Sequence, residues 1–333
     1  MVSITALSFS DPLPFQAAIS TANLEFLPTT KGQFRAELTK VCMDQLWMHR
    51  FDQDLPLINA GAVRPERRVF TFLTSVKPAA MRHRGMDVSS GDIIVHNFDE
   101  IHQQTGAKCH IGSMSLTIRA LDTACKAITG REFSGSPLKH LVRPNATLMS
   151  RLLKLHEMVG QLATTVPEVL EVPEAARSLE QQLIHILVRC LTDGVSTQMT
   201  GRARRHDMII AKFEEYLEAN PNMPLYLAEI CEAVGAAERT LRAACEEHLG
   251  MGPIRYLAMR RMHLARRSLL RAAPSTATVT KIATDHGFWE LGRFSVSYRA
   301  MFGETPLATL RRLPDQRHII FDRPTSLANS EIA

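Results

Sequence analysis

Residues 207–313 contain one pattern twice. The first copy runs through Leu227-Ala-Glu-Ile230, Val234-Gly235, Leu241, Cys245, Leu249, Gly250 and Pro253. The second runs through Val279-Thr-Lys-Ile282, Gly287-Phe288, Phe294, Tyr298, Phe302, Gly303 and Pro306. The offset is 52 residues from Ile230/Ile282 to Gly235/Gly287 and 53 from Leu241/Phe294 onward, so the second copy has one extra residue in its turn region. Each copy has the physics of a helix-turn-helix. A short helix buries an isoleucine, and the glycine ends it because a sharp turn needs a positive φ that is cheap only there. The next helix places apolar residues at i, i+4 and i+8, a single core-facing stripe. Gly250 and Gly303 stop that helix, each with a proline three residues on.

The stripe fixes which side chains face outward. In the first copy these are Arg239, Thr240, Arg242 and Glu246, and in the second Arg293, Ser295, Val296 and Arg299. Arginine suits guanine, because its planar fork donates to O6 and N7 together. The plainer reading is that these arginines touch only phosphates. Between the copies, Ile254–Leu270 reads as one long helix with an apolar stripe of Ala258, Met262, Ala265 and Leu269. Arg260, Arg267 and Arg271 are expected on its polar face. A rigid connector of this kind can present two recognition helices to successive major grooves, about 34 Å apart.

At this point the sequence resembles the AraC/XylS family of bacterial transcription regulators. The resemblance spans residues 207–313. It is strongest over Lys281-Ile-Ala-x-x-x-Gly287-Phe288, five residues, then Phe294-x-x-x-Tyr298-x-x-x-Phe302-Gly303-x-x-Pro306. Arg261-Met-x-x-Ala265 supplies the basic opening of the connector signature. The second turn departs from the pattern, with Trp289-Glu-Leu-Gly-Arg293 where small polar residues are usual. The resemblance implies a seven-helix DNA-binding domain, base contacts from Arg239, Thr240, Arg242, Arg293, Ser295 and Val296, and RNA polymerase as a partner. It also implies a β-rich N-terminal domain that binds a small molecule or dimerises.

Charge agrees with a polyanion partner. Residues 202–313 hold 17 Lys and Arg against 12 Asp and Glu, whereas the rest of the 333-residue chain holds 22 of each. Double-stranded DNA is therefore the expected partner.

Upstream, residues 1–145 read as β-rich. Arg68-Val-Phe-Thr-Phe-Leu-Thr74 and Gly91-Asp-Ile-Ile-Val-His96 are rich in strand formers, and Ser113-Met-Ser-Leu-Thr-Ile-Arg119 alternates as a half-buried strand does. Many short strands predict a sandwich or jelly roll, and Gly91-Asp92 entering a strand with His102 after it is similar to cupin barrels. Residues 146–194 carry two helical stripes, Leu148, Leu152, Leu155, Val159, Leu162 and Ala176, Leu179, Leu183, Ile186, Cys190. They either pack on the β-domain or form a subunit interface in a homodimer. Residues 195–206 read as a polar interdomain linker and 314–333 as a loosely held tail. The fold class is thus a cupin-like β-rich domain with helices, followed by an all-α domain with two helix-turn-helix units.

Enzymatic readings have little to stand on. His83, His96, His102 and His110, with Glu100 nearby, fall in the β-region without an H-x-H pair. G-x-S-x-G is absent, and His156-Glu157-x-x-Gly160 lacks the second histidine of a zinc-protease motif. The expectation is a non-enzyme with no cofactor and no bound metal. The six cysteines show no C-x-x-C spacing and are expected to be reduced. No secretory start and no 18-residue apolar run is visible, so the expected location is the cytoplasm. Two alternatives stay open: a metal-dependent cupin enzyme with an appended DNA-binding domain, and a constitutive DNA-binding protein whose N-terminal domain only dimerises.

Overall fold

A computed structural model describes residues 2–19, 21–75, 80–96, 100–133, 139–220 and 225–312. The tail expected at 314–333 lies outside the described residues. Among them, thirteen strands precede residue 199: β1 (Ser3–Phe9), β2 (Ala22–Pro28), β3 (Ala36–Cys42), β4 (Leu46–Gln53), β5 (Leu57–Val63), β6 (Arg67–Leu73), β7 (Met81–His83), β8 (Met86–Asp87), β9 (Ile93–His96), β10 (Glu100–Thr105), β11 (Cys109–Thr117), β12 (Lys139–Arg143) and β13 (Val195–Gln198). They form two sheets, one in the order β1-β3-β4-β11-β6-β9-β12-β13 and one in the order β2-β5-β10-β7-β8. Every recorded pairing is antiparallel. The sheets share a core in which Phe26, Leu57 and Met81 from one meet Leu38, Phe51, Ile94 and Ile111 from the other.

Helices cover the outer face of the larger sheet. These are α2 (Ile118–Thr129), α3 (Ala146–Thr165) and α5 (Pro173–Asp193); α1 (Pro12–Ala18) and the single turn α4 (Glu168–Glu171) complete the domain. Leu152 and Val159 of α3 and Leu183 and Leu187 of α5 are fully buried against Met48, Phe70, Phe72 and Met114. Of the two stripes, Leu152, Val159, Leu183, Ile186 and Cys190 lie in this core and Leu148, Leu155, Leu162 and Leu179 pack half-buried against it, as the packing alternative has it. Buried Glu180 ties α5 to the sheet, accepting the N–H of Gln45 at 2.7 Å and of Leu46 at 2.9 Å.

Helices on one side and the second sheet on the other explain two differences from the expected strand. Ser113 through Leu116 are all buried, not alternately exposed. Ser115 is satisfied by Arg67, whose Nε donates to its Oγ at 3.1 Å. The strand stops at Thr117, which accepts the Ala120 N–H at 3.2 Å and so caps α2; Ile118 and Arg119 are helical.

The segment 195–206, expected as a linker, is ordered. Residues Val195–Gln198 pair with β12, and Thr200 caps α6 (Gly201–Ala219). After α6 come α7 (Leu227–Val234), α8 (Glu238–Leu249), α9 (Pro253–Arg271), α10 (Val279–Asp285), α11 (Leu291–Phe302) and α12 (Pro306–Leu310), so the C-terminal domain has seven helices among the described residues. Its two halves have separate cores. Phe213, Ile230, Leu241, Cys245 and Tyr256 fill the first, together with Leu27 and Ile58 of the β-domain. Met262, Leu269, Ile282, Phe294 and Tyr298 fill the second.

Candidate nucleic-acid interface

The repeat is the scaffold of the site. Gly235, Gly250, Gly287 and Gly303 all adopt left-handed backbone, with φ between 69° and 75°, at the ends of the helices the pattern predicts. The extra residue of the second copy falls after Gly287. Helix α11 starts four residues beyond that glycine, whereas α8 starts three beyond Gly235. Gly292 sits at the second position of α11 without preventing the helix. Leu241, Cys245 and Leu249 are buried in α8; Phe294 and Tyr298 are buried in α11, and Phe302 is half-buried. The Tyr298 hydroxyl donates to Thr309 Oγ1 at 2.8 Å, which pins α12 under α11.

All six residues expected to meet DNA lie on the outward faces of these helices. Arg239, Arg242, Arg293, Ser295 and Val296 are exposed and Thr240 is half-buried. Their availability differs. Arg242 pairs with Glu238 at 2.9 Å, and Arg293 pairs with Glu290 at 3.2 Å. Arg239 has no ion pair among the described residues. Val296 is 72% exposed and Trp289, at the preceding turn, 75%. Large apolar groups so exposed next to arginines suit thymine methyls and sugar edges.

The connector α9 is one helix, as expected, but its faces are assigned differently. Met262, Ala265 and Leu269 are buried, whereas Ala258 is exposed and Tyr256 and Met259 take its place in the core. Arg260 and Arg267 do not point to solvent. Arg267 pairs with Glu25 of β2, and Arg260 donates to the Leu217 carbonyl at 3.0 Å with Glu25 at 4.0 Å. Arg266, buried, pairs with Asp11 and with Glu304 at 3.0 Å. Carboxylates of the β-domain therefore occupy one face of the connector. A helical wheel cannot reveal this, because it does not show which domain covers a polar face.

The same interface continues at the first unit. Arg84 Nε donates to Asp207 at 2.9 Å, and Gln104 donates to the Glu247 carbonyl at 3.1 Å. Burial pushes His248 of α8 and His263 of α9 down to about 4, so both are neutral at pH 7.

Two open cavities flank the recognition helices. One, of about 470 Å³, is lined by Gly201, Arg202, Arg205, His206, Arg239, Thr240 and Ala243. Sequence reasoning missed Arg202 and Arg205 because it placed them in a linker. The other, of about 860 Å³, lies between α9, α11 and Thr29, Thr30 and Lys31 of the β-domain, with Met259, Met262, Phe288 and Met301 among its walls.

Within the β-domain the histidines are only partly gathered. The rings of His83 and His96 lie 5.1 Å apart and His96 Nε2 is 2.9 Å from Thr71 Oγ1, whereas exposed His110 pairs with Asp52 at 2.6 Å. Among the described residues no three His, Cys, Asp or Glu side chains are grouped to hold a metal, and no helix is long and apolar enough to cross a membrane.

Two left-handed-glycine turns, each followed by an exposed arginine-bearing helix and joined by one continuous helix, define a double helix-turn-helix domain. Comparison with known proteins agrees. The helix-turn-helix domain family matches residues 230–312. The chain is 34% identical over 174 residues to the probable thc operon regulatory protein of Rhodococcus erythropolis, covering 49% of this chain and 52% of that protein. It is 32% identical over 96 residues to XylDLEGF operon transcriptional activator 2 of Pseudomonas putida, covering 29% and 61%. A solved structure of a probable AraC family transcriptional regulator from Rhodopseudomonas palustris CGA009 is 32% identical, covering 31% of this chain and 95% of that one, with a TM-score of 0.29. The matches span between about half and three fifths of the length of these two curated relatives. The C-terminal domain is thus similar to those of AraC/XylS-type operon regulators over the residues that match.

Proposed function

We propose that this protein is a sequence-specific transcription activator that grips double-stranded DNA with α8 and α11, recruits RNA polymerase, and is controlled through its β-domain. The observation that carries the reading is the pair of outward helix faces held by α9. Arg239 on the first is uncommitted, and Ser295 and Val296 on the second are exposed. The relatives named as operon regulators and activators support the direction of control.

Control through the β-domain rests on the ion pairs of Asp11, Glu25 and Arg84 with the DNA-binding domain. Anything that favours one arrangement of these pairs biases how the two units sit on DNA. An effector inside the sandwich has little room. The cavity there, lined by His49, Asn59, Thr71, His96, Gln103 and Ser113, measures about 40 Å³, enough for a water molecule or two. A small molecule fits the 860 Å³ cleft between Lys31 and α11 instead. The filled sandwich also favours a second reading, in which the β-domain acts without a ligand.

Selection of bound duplexes from a random library tests the proposal. The expected product is a site with two conserved half-motifs about 10–10.5 base pairs apart, centre to centre. No enrichment over several rounds overturns it.

A further inference from the structure

We propose that Arg202 and Arg205 form a phosphate clamp beside the first recognition helix, holding the DNA backbone next to the bases that Arg239 reads. The clamp rests on the DNA-binding reading above and adds a second element, α6, to the contact surface. Helix α6 begins at Gly201, where Thr200 accepts the Ala203 N–H at 3.2 Å. Arg202 and Arg205 are three residues apart and so share one helix face. That face and the outward face of α8 are the two walls of the 470 Å³ groove.

The groove is cationic on both walls and has no carboxylate in its lining. Glu247, which reaches the lining residue His206, is committed to its Nδ1 at 2.7 Å, and Glu238 beside Arg239 is paired with Arg242. Arg202, Arg205 and Arg239 are exposed and have no ion pair among the described residues. The connector arginines Arg260, Arg266 and Arg267 differ, because the carboxylates of Asp11, Glu25 and Glu304 hold them. The basic excess of the C-terminal segment is thus available here and spent there. Three uncompensated guanidiniums around one open groove repel one another, and a phosphodiester backbone is the polyanion that relieves the repulsion. Position separates the roles. Arg239 rides on the recognition helix, whereas Arg202 and Arg205 approach from the neighbouring helix and meet the strand from its side.

The test uses the full-length chain, a selected duplex and a scrambled duplex, each titrated at several salt concentrations. Each phosphate contact contributes about 0.9 to the slope of log K against log salt. The Arg202→Ala/Arg205→Ala double variant is expected to lower that slope by nearly two and to weaken both duplexes by the same factor. The ratio between them should stay at the wild-type value. Arg202→Lys/Arg205→Lys, which keeps the charges, should restore most of the slope and shows that the alanine variant lost contacts, not fold. An unchanged slope overturns the clamp, as does a loss confined to the selected duplex, which would make these arginines base readers. If the wild-type chain binds neither duplex, the DNA-binding reading itself has failed, a result distinct from either of these.

Discussion

Phe294→Ala should melt the second helix-turn-helix unit while leaving the β-domain folded. Phe294 is 2% exposed and lies between Phe288 and Tyr298, with ring centroids 4.8 Å and 5.6 Å away. It shares a core with Met262 and Leu269 of α9 and Ile282 of α10, so it joins three helices at one point. Truncating a buried phenylalanine costs about 3–5 kcal/mol, and the two ring pairs place this site toward the upper end. The core of this half is small, and a loss of that size is a large share of what holds any domain folded. Hydrogen exchange read by mass spectrometry resolves the effect by segment. Amides of α10, α11 and α12 should exchange about two to three and a half decades faster, at about 1.4 kcal/mol per decade. Those of β4 and β11, whose core excludes this residue, should keep their protection. Unchanged protection in α11 would refute the packing argument. Equal loss in β11 would refute the separateness of the two cores.

Other perturbations follow from the same contacts. Leu152→Glu with Leu183→Glu places two carboxylates in the fully buried layer between α3, α5 and the sheet, so the double variant should be insoluble; a soluble, folded monomer by ultracentrifugation would restore the interface reading. Asp11→Asn with Glu25→Gln removes the carboxylates that the β-domain offers Arg266 and Arg267, and small-angle scattering should record a larger radius of gyration, an unchanged value counting against the clasp. Acid should destabilise the chain. Burial holds His49 and His156 down to about 3 and His248 and His263 to about 4. From pH 6.5 downward the unfolded chain takes up protons that the folded chain refuses, so stability falls until those folded values are reached. Thermal midpoints that stay flat from pH 7 to pH 4.5 would contradict this.

How much of this was legible in the sequence depended on whether the signal was local. The double unit was legible almost to the residue, because Gly235, Gly250, Gly287 and Gly303 punctuate helices whose apolar spacing is set by 3.6 residues per turn. The β-rich domain was legible in kind but not in order. Nothing in Ser113–Leu116 announces that a second sheet and a helical layer cover both its faces. Residues 201–206 were misread for the opposite reason. The first turns of α6 expose Arg202, Arg204 and Arg205, so they show no apolar rhythm and look like a linker. Arg260 and Arg267 were placed on a free polar face because their partner, Glu25, lies more than 230 residues away in the chain. The alternation between packing and interface for α3 and α5 required the tertiary structure, since either burial produces the same stripe.

The most direct test of DNA reading by this fold is the base preference of Arg239→Ala. On the selected site the variant should lose about 1–3 kcal/mol of binding, roughly five- to 150-fold, and tolerate other bases at one position of one half-motif. Arg293→Ala should do less, because Arg293 is shared with Glu290 at 3.2 Å. Affinity for scrambled DNA should fall far less than affinity for the selected site. If Arg239→Ala binds both DNAs as tightly as wild type, α8 is not the recognition helix, and the DNA-reading surface lies elsewhere.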